Sequence, residues 1–323
     1  MNAIRSTYAG YESLGLAQHH RLLSSEEVTE RVQVTGVQGG LLSTEGASLH
    51  PARLVRGLAR AVERRGATIY EQTEVLDFHT GPNARLITRN GELRARKAIV
   101  LAGEAYLTRL KKLHRALLPV YSLISITEPL TSDQWRQIGW QNRESLASNK
   151  YSVDYLTRTA DGRILFGSRG APYVFGSKIT HDQDRHAETH ALIRKSLVEW
   201  FPMLEGIKFT HSWGGPVGMP RDWMPTVAFN PATKIATARG YTGQGVSTAN
   251  LAGRILAGLI GGRPSQLENL PLVQHASPNW EYEPLRWLAV RYTQGALGRI
   301  DQAAHDGRPR PMDARLAEYL GRH

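Results

Sequence analysis

Ala98-Ile99-Val100-Leu101-Ala102-Gly103 is five consecutive apolar residues closed by a glycine. The run is too short for a free-standing helix and carries no polar alternation, so it reads as a strand buried on both faces, the kind a parallel sheet uses. Upstream, Pro51 suits a first helical position, Leu54, Leu58, Ala61 and Val62 recur on one helical face, and Gly66 stops the pattern. Residues 67–78 are rich in β-branched and aromatic side chains, and 85–89 and 92–96 flank Asn90-Gly91, a strong hairpin signal. A helix and a meander that return to a buried strand with a glycine at its end predict an α/β sheet with a ligand crevice there.

Further out, residues 1–35 read as polar and helical, with a helix start at Ser24-Ser25-Glu26-Glu27 and a break at Gly39-Gly40. Downstream, 118–127 and 151–157 read as strands, and Asp161-Gly162 turns the second into 164–167. A helix follows over 183–201, ended by Pro202, then short strands at 207–213, 226–229 and 234–239, and a small-residue helix over 246–260. From Arg263 the chain is rich in Pro and Arg, with weak helical character near 284–304.

The 323 residues are about two domains' worth. With 41% hydrophobic and 21% charged residues the composition is globular. The absence of cysteine excludes disulfides, zinc–thiolate sites, iron–sulfur clusters and a cysteine nucleophile. A formal charge of +11 would suit an anionic partner, but the basic residues are dispersed and no nucleic-acid motif is present, so no nucleic-acid partner is expected. The longest apolar stretch, 116–127, is too short for a membrane span and contains Pro119. With no hydrophobic leader after Met1, the expectation is a cytoplasmic protein.

Gly240-Tyr241-Thr242-Gly243-Gln244-Gly245-Val246 leads from a strand into a helix, where glycines admit close backbone approach and the helix N-terminus favours negative charge. Alone it is equally a tight turn. His181, Asp182, Asp184, His186 and His190 have a spacing that metal ligands could use, but a solvated helix N-terminus explains them better, and no metal is expected. No G-x-S-x-G elbow is present. Arg221-Asp222-Trp223-Met224-Pro225, after Trp213-Gly214-Gly215, reads as a packed turn in which Asp222 bonds backbone.

The order of these segments is more specific than any one of them. Gly40, Leu49-His50-Pro51, Gly66-Ala67, Val75, Ile99 to Gly103, Trp213-Gly214-Gly215, the 240–245 loop and Leu251-Ala252-Gly253 together resemble the D-amino-acid-oxidase superfamily of FAD-dependent amine oxidoreductases over about residues 20–262. Leu49-His50-Pro51, Gly103-Glu104-Ala105-Tyr106-Leu107, Asp154-Tyr155-Leu156-Thr157-Arg158 and Gly240-Tyr241 are most similar to the gamma-glutamylputrescine oxidase branch.

The resemblance implies an α/β (α+β) fold. An incomplete, discontinuous FAD-binding Rossmann-like layer would occupy 36–110 and 205–262. A substrate domain on a mixed, mostly antiparallel sheet would occupy 1–35 and 111–204, and 263–323 would be a C-terminal extension. It implies FAD contacts from Val75, Gly103, Gly215, Gly240, Tyr241, Thr242, Gly243, Gln244, Gly245 and Val246, and substrate contacts from His50, Tyr155, Trp213 and Arg221, with no catalytic residue identified. It implies oxidation of a C–N bond of a small amine or amino acid by hydride transfer to flavin, hydrolysis of the imine, and dioxygen as the acceptor.

The chain departs from the family pattern in having no G-x-G-x-x-G. The N-terminal βαβ unit that would grip the FAD diphosphate is thus expected to be missing, through truncation or because a separate chain supplies it. The expectation is then an edge strand at 98–102 and a colourless, inactive isolated chain. The alternative is a non-catalytic fragment or binding module that has lost the cofactor site.

Overall fold

The computed structural model describes residues 2–263 and 265–321. Met1, Pro264 and residues 322–323, which belong to the ends of the expected substrate portion and to the C-terminal extension, lie outside the described residues. The fold is mixed α/β, mostly antiparallel, with two-, five-, three- and three-stranded sheets among the described residues.

The five-stranded sheet is the centre. Its order is Phe209–Met219, Leu118–Thr127, Ile164–Arg169, Tyr155–Arg158 and Leu146–Ala147, and every neighbouring pair in it is antiparallel. Alternation along Leu118–Thr127 puts Leu123, Ser125 and Thr127 on a fully buried face with Leu156, Ile164 and Phe166. The helix Ala187–Trp200 covers that face with Ile193 and Leu197, and Trp140 and Phe201 complete the core. The opposite face carries Ser122, Ile124 and Ile126 and is only half-buried.

The expected strand at 98–102 is present as Ile99–Leu101, parallel to Ile235–Arg239. It is the edge of a three-strand sheet with Thr226–Asn230 on the far side. It is not buried on both faces: Ile99 and Leu101 point into a core with Phe78 and Leu107, while Val100 is 47% exposed. The helix Pro51–Glu63 forms where the sequence places it, with proline in its first turn. Its apolar face is uncovered, however. Leu54, Val55, Leu58 and Val62 are all exposed.

Other departures are local. Residues His20–Leu23 are a strand paired with Gly40–Ser43, so the expected helical region 1–35 is broken and Gly40 begins a strand instead of interrupting the chain. Ser24 and Glu27 do form a capping box on the helix Ser25–Arg31. The strand expected over 67–78 is confined to Val75–His79. In the meander Thr88 faces Gly91, so Arg89-Asn90 form the turn and Gly91, at φ +139°, opens the next strand. The helix expected over 183–201 begins only at Ala187 because the His186 side chain accepts a hydrogen bond from Thr189 N–H as its N-cap.

Beyond the glycine-terminated helix Gly245–Gly261, the chain returns to the central sheet. Trp280 donates its indole N–H to Met219 O at 2.8 Å, and the helix Leu285–His305 packs Val290 against Leu118, Tyr173 and Met219.

Candidate active site

The strand registers align two rungs across the half-buried face of the central sheet. Trp213, Ile124, Gly167 and Tyr155 lie opposite one another on four adjacent strands. Two residues along, Gly215, Ser122 and Arg169 form the next rung. Residues two apart on a strand share a face, so Tyr155, Arg169 and Trp213 project together. The hydrogen bond of 2.9 Å between Ser122 Oγ and Tyr155 OH fixes one corner. Gly167 makes this possible: a Cβ there would stand 2.1 Å from the Tyr155 ring. Gly215 has no neighbour within 4 Å of such a position, so the sheet face is open beside Trp213.

The 240–245 loop is attached to this face by Arg169, whose Nη2 donates to Thr242 O at 3.0 Å. Thr242 at φ +53° and Gly243 at φ +101° bend the backbone around the guanidinium. The helix Gly245–Gly261 then begins at Gln244 with no side-chain cap, leaving its first N–H groups and the positive end of its dipole available. Arg169 has no carboxylate partner among the described residues, and burial lowers its pKa. Burial raises that of Tyr155, so the phenol stays neutral and can donate or accept.

Glu104 holds the other end of the loop. At φ +47°, directly after Gly103, its carboxylate accepts from Gly240 N–H at 2.7 Å and Tyr241 N–H at 3.3 Å. Gly218 also donates its backbone N–H to it. A Cβ on Gly218 would lie 3.0 Å from Glu104 Oε1, so this strand glycine admits the carboxylate. Burial raises the Glu104 pKa against the pull of these hydrogen bonds and of nearby Arg239. Burial, with the Glu104 charge, pushes Tyr241 up to about 12.

The structure thus brings together Tyr155, Trp213, Gly215, Tyr241, Thr242, Gly243, Gln244, Gly245 and Val246, the last half-exposed at the helix start. Gly240 is buried and close-packed instead, where a Cβ would meet Pro220 at 3.0 Å, whereas Gly103 is exposed and a Cβ there would meet Leu107 at 3.1 Å. Val75 packs beside the Phe78–Leu107 cluster. His50 is used elsewhere, as the N-cap of Pro51–Glu63 through Nδ1. Arg221 pairs with Glu281 at 3.0 Å and lies over Trp280. Asp222 does bond the Met224 N–H, and also accepts from Ser277 Oγ and His275 Nε2. Both of those partners bond the carboxylate and not each other, so no nucleophilic triad is formed. Among the histidines considered for metal, His190 is buried rather than solvated, bonded to Ser125 Oγ and Asp184 O.

Arg169 and Glu104 are the two residues the sequence reading does not single out. Arg169 lies two residues beyond the strand expected at 164–167, and its face is defined only by the register with Ser122. Glu104 sits beside a recognised glycine, and its reach to the loop depends on the chain returning 136 residues later.

The family model for FAD dependent oxidoreductases (DAO) matches residues 1–259. A probable oxidoreductase, OrdL, of Rhizobium meliloti (strain 1021) is 31% identical over 256 residues, covering 78% of this chain and 56% of its own length. Gamma-glutamylputrescine oxidoreductase of Escherichia coli (strain K12) is also 31% identical over 256 residues, covering 77% of this chain and 57% of its own length. The chain therefore spans little more than half the length of these relatives. Glycine oxidase from Geobacillus kaustophilus shares the fold at a TM-score of 0.70 and 20% identity, over 85% of this chain and 72% of that one.

Proposed function

The chain belongs to the FAD dependent oxidoreductase family, and on that premise we propose that it carries the ring-binding and substrate-binding half of an amine or amino-acid oxidoreductase. The observation that carries this is Arg169, a half-buried cation with no carboxylate partner among the described residues, which ties the glycine loop to the open sheet face.

The residues fit the ring end of FAD. The uncapped start of Gly245–Gly261 favours the electron-rich edge of the cofactor, and Gly215 and Gly243 leave backbone open to close approach. The amides of Gly240 and Tyr241 already serve Glu104, so 242–246 carry the contact and Glu104 positions them. Val75 and Gly103 remain candidates for the nucleotide portion. Bound FAD supplies the two-electron acceptor for C–N oxidation, with dioxygen as the proposed terminal acceptor.

Substrate lies on the sheet face. Arg169 pairs with a carboxylate on it, Tyr155 offers its hydroxyl, and Trp213 shields the amine-bearing carbon from water. His50 and Arg221 have no part in this reading because their side chains are committed elsewhere. A relative named for gamma-glutamylputrescine supports an amine that also bears a carboxylate.

The test is a flavin spectrum and an amine-dependent peroxide assay of the chain alone and fused behind a family N-terminal βαβ unit. The chain alone contains no G-x-G-x-x-G, so it is expected to purify colourless. The fusion is expected to be yellow and active, with Arg169→Met raising KM for carboxylate-bearing amines more than for simple diamines. A folded but colourless fusion overturns the proposal and favours a binding module.

A further inference from the structure

The C-terminal segment beyond the family match lies beside the turn at 111–115, and between the two is a cleft of about 700 Å³, open to solvent on one side. That size lies within the range of small-molecule sites. Lys111, Lys112, His114 and Arg115 line it from the turn and Arg286 from the C-terminal helix, facing one carboxylate, that of Glu283. We propose that this cavity binds a small organic molecule bearing a multivalent oxyanion, as phosphate or clustered carboxylate groups.

The charge arrangement is the main argument. Four permanent cations line the cavity, and its single acid is already occupied. Glu283 accepts from Tyr173 OH at 2.7 Å, from Gly176 N–H at 2.9 Å, and from Arg286 Nε and Nη2 at 3.1 and 3.0 Å. Lys112 is satisfied outside, by Asp77 at 2.9 Å and by Phe78 O. Lys111 and Arg115 have no carboxylate partner among the described residues. Lys111 and Arg115 therefore leave positive charge on the cavity that no carboxylate among the described residues balances, and an anion would balance it.

Two further features point to a ligand. Arg286 is 1% exposed, yet its Nη1 has no hydrogen-bond partner among the described residues, although a buried guanidinium ordinarily satisfies all its donors. Arg115 is pre-positioned: Nε donates to Trp280 O at 2.6 Å and the guanidinium lies 3.5 Å from the Tyr282 ring centroid, which leaves its terminal nitrogens to bind an oxyanion. His114 is likewise fixed through Nδ1 to Thr108 O at 2.9 Å.

Calorimetric titration of the full chain with pyrophosphate and with citrate, in about 0.15 M NaCl where surface charges are well screened, tests this. Saturable 1:1 binding of at least one anion is expected, and the tighter one identifies the oxyanion source. Lys111→Ala with Arg115→Ala is expected to weaken that anion about tenfold or more, the scale of a lost charge-assisted hydrogen bond. Because Arg115 also supports Trp280, Lys111→Glu provides a second variant on an exposed side chain, and it too should weaken binding while leaving the unfolding midpoint unchanged. Absence of saturable binding for both anions, or wild-type affinity in a folded Lys111→Glu protein, overturns the proposal.

Discussion

Gly243 stands where a side chain would do two kinds of damage. Its φ of +101° strains any L residue, and a Cβ would lie 2.9 Å from Arg169 Nη2. Gly245 is different: it begins the helix without positive φ, and a Cβ would only touch Tyr241 at 3.7 Å. Gly243→Val is therefore expected to destabilise the chain by about 1–3 kcal/mol and to remove flavin from the fusion. Gly245→Ala is expected to leave the urea midpoint unchanged or slightly raised, while weakening FAD if the ring edge packs on this backbone. Urea unfolding with FAD titration of the two variants separates a loop that folds from a loop that binds. Unchanged flavin content in both would make 240–245 a plain turn. Glu104 belongs to the same balance, because its raised pKa gives a contribution that is present at low pH and lost as pH rises through the folded value.

At the scale of elements, helices of equal apolar content do different work. Pro51–Glu63 exposes Leu54, Leu58 and Val62, whereas Ala187–Trp200 buries Ile193 and Leu197 completely. Leu58→Gln in the chain alone is accordingly expected to change stability by no more than about 0.5 kcal/mol, and Leu197→Ala to cost about 2–5 kcal/mol. Equilibrium urea unfolding checks both, and a cost at Leu58 resembling that at Leu197 would show that the helix is covered in solution. The helix Pro51–Glu63, the strand Leu118–Thr127 and the strand Ile99–Leu101 were all legible because each is marked by a local pattern. What was not legible depended on partners distant in sequence. The strand His20–Leu23 needs Gly40–Ser43 beside it, and the open face with Tyr155 and Arg169 needs four strands in register. Likewise, the commitment of His50 to a cap and of Arg221 to Glu281 depends on side-chain direction, which residue type does not specify.

For the molecule as a whole, Glu283 binds the C-terminal segment to the loop that follows the strand Ile164–Arg169, through Tyr173 and Gly176. Burial opposes its charge, but hydrogen bonds from Tyr173, Gly176, Trp287 and Arg286 hold its carboxyl below the ordinary glutamate value of 4.5. A depressed folded pKa means stability that is present above the ordinary glutamate value and lost as pH falls through the folded one. Glu283→Ala should cost about 3–5 kcal/mol at neutral pH by leaving Arg286 buried and unpaired, and should flatten the acid limb of a pH–stability curve measured by urea unfolding. A steep acid limb in the variant would assign that dependence elsewhere. The parallel pair of Ile99–Leu101 and Ile235–Arg239 has a different consequence, one of timing. Thr237 Oγ1 reaches Leu101 O across 136 residues, with all five strands of the central sheet between them in sequence. Local hairpins close early and so distant a pairing closes late, because the entropy of ring closure is met before the contact returns anything. The glycine loop follows directly on that late strand, so the 240–245 backbone is expected to settle only after the hairpins of the central sheet have formed.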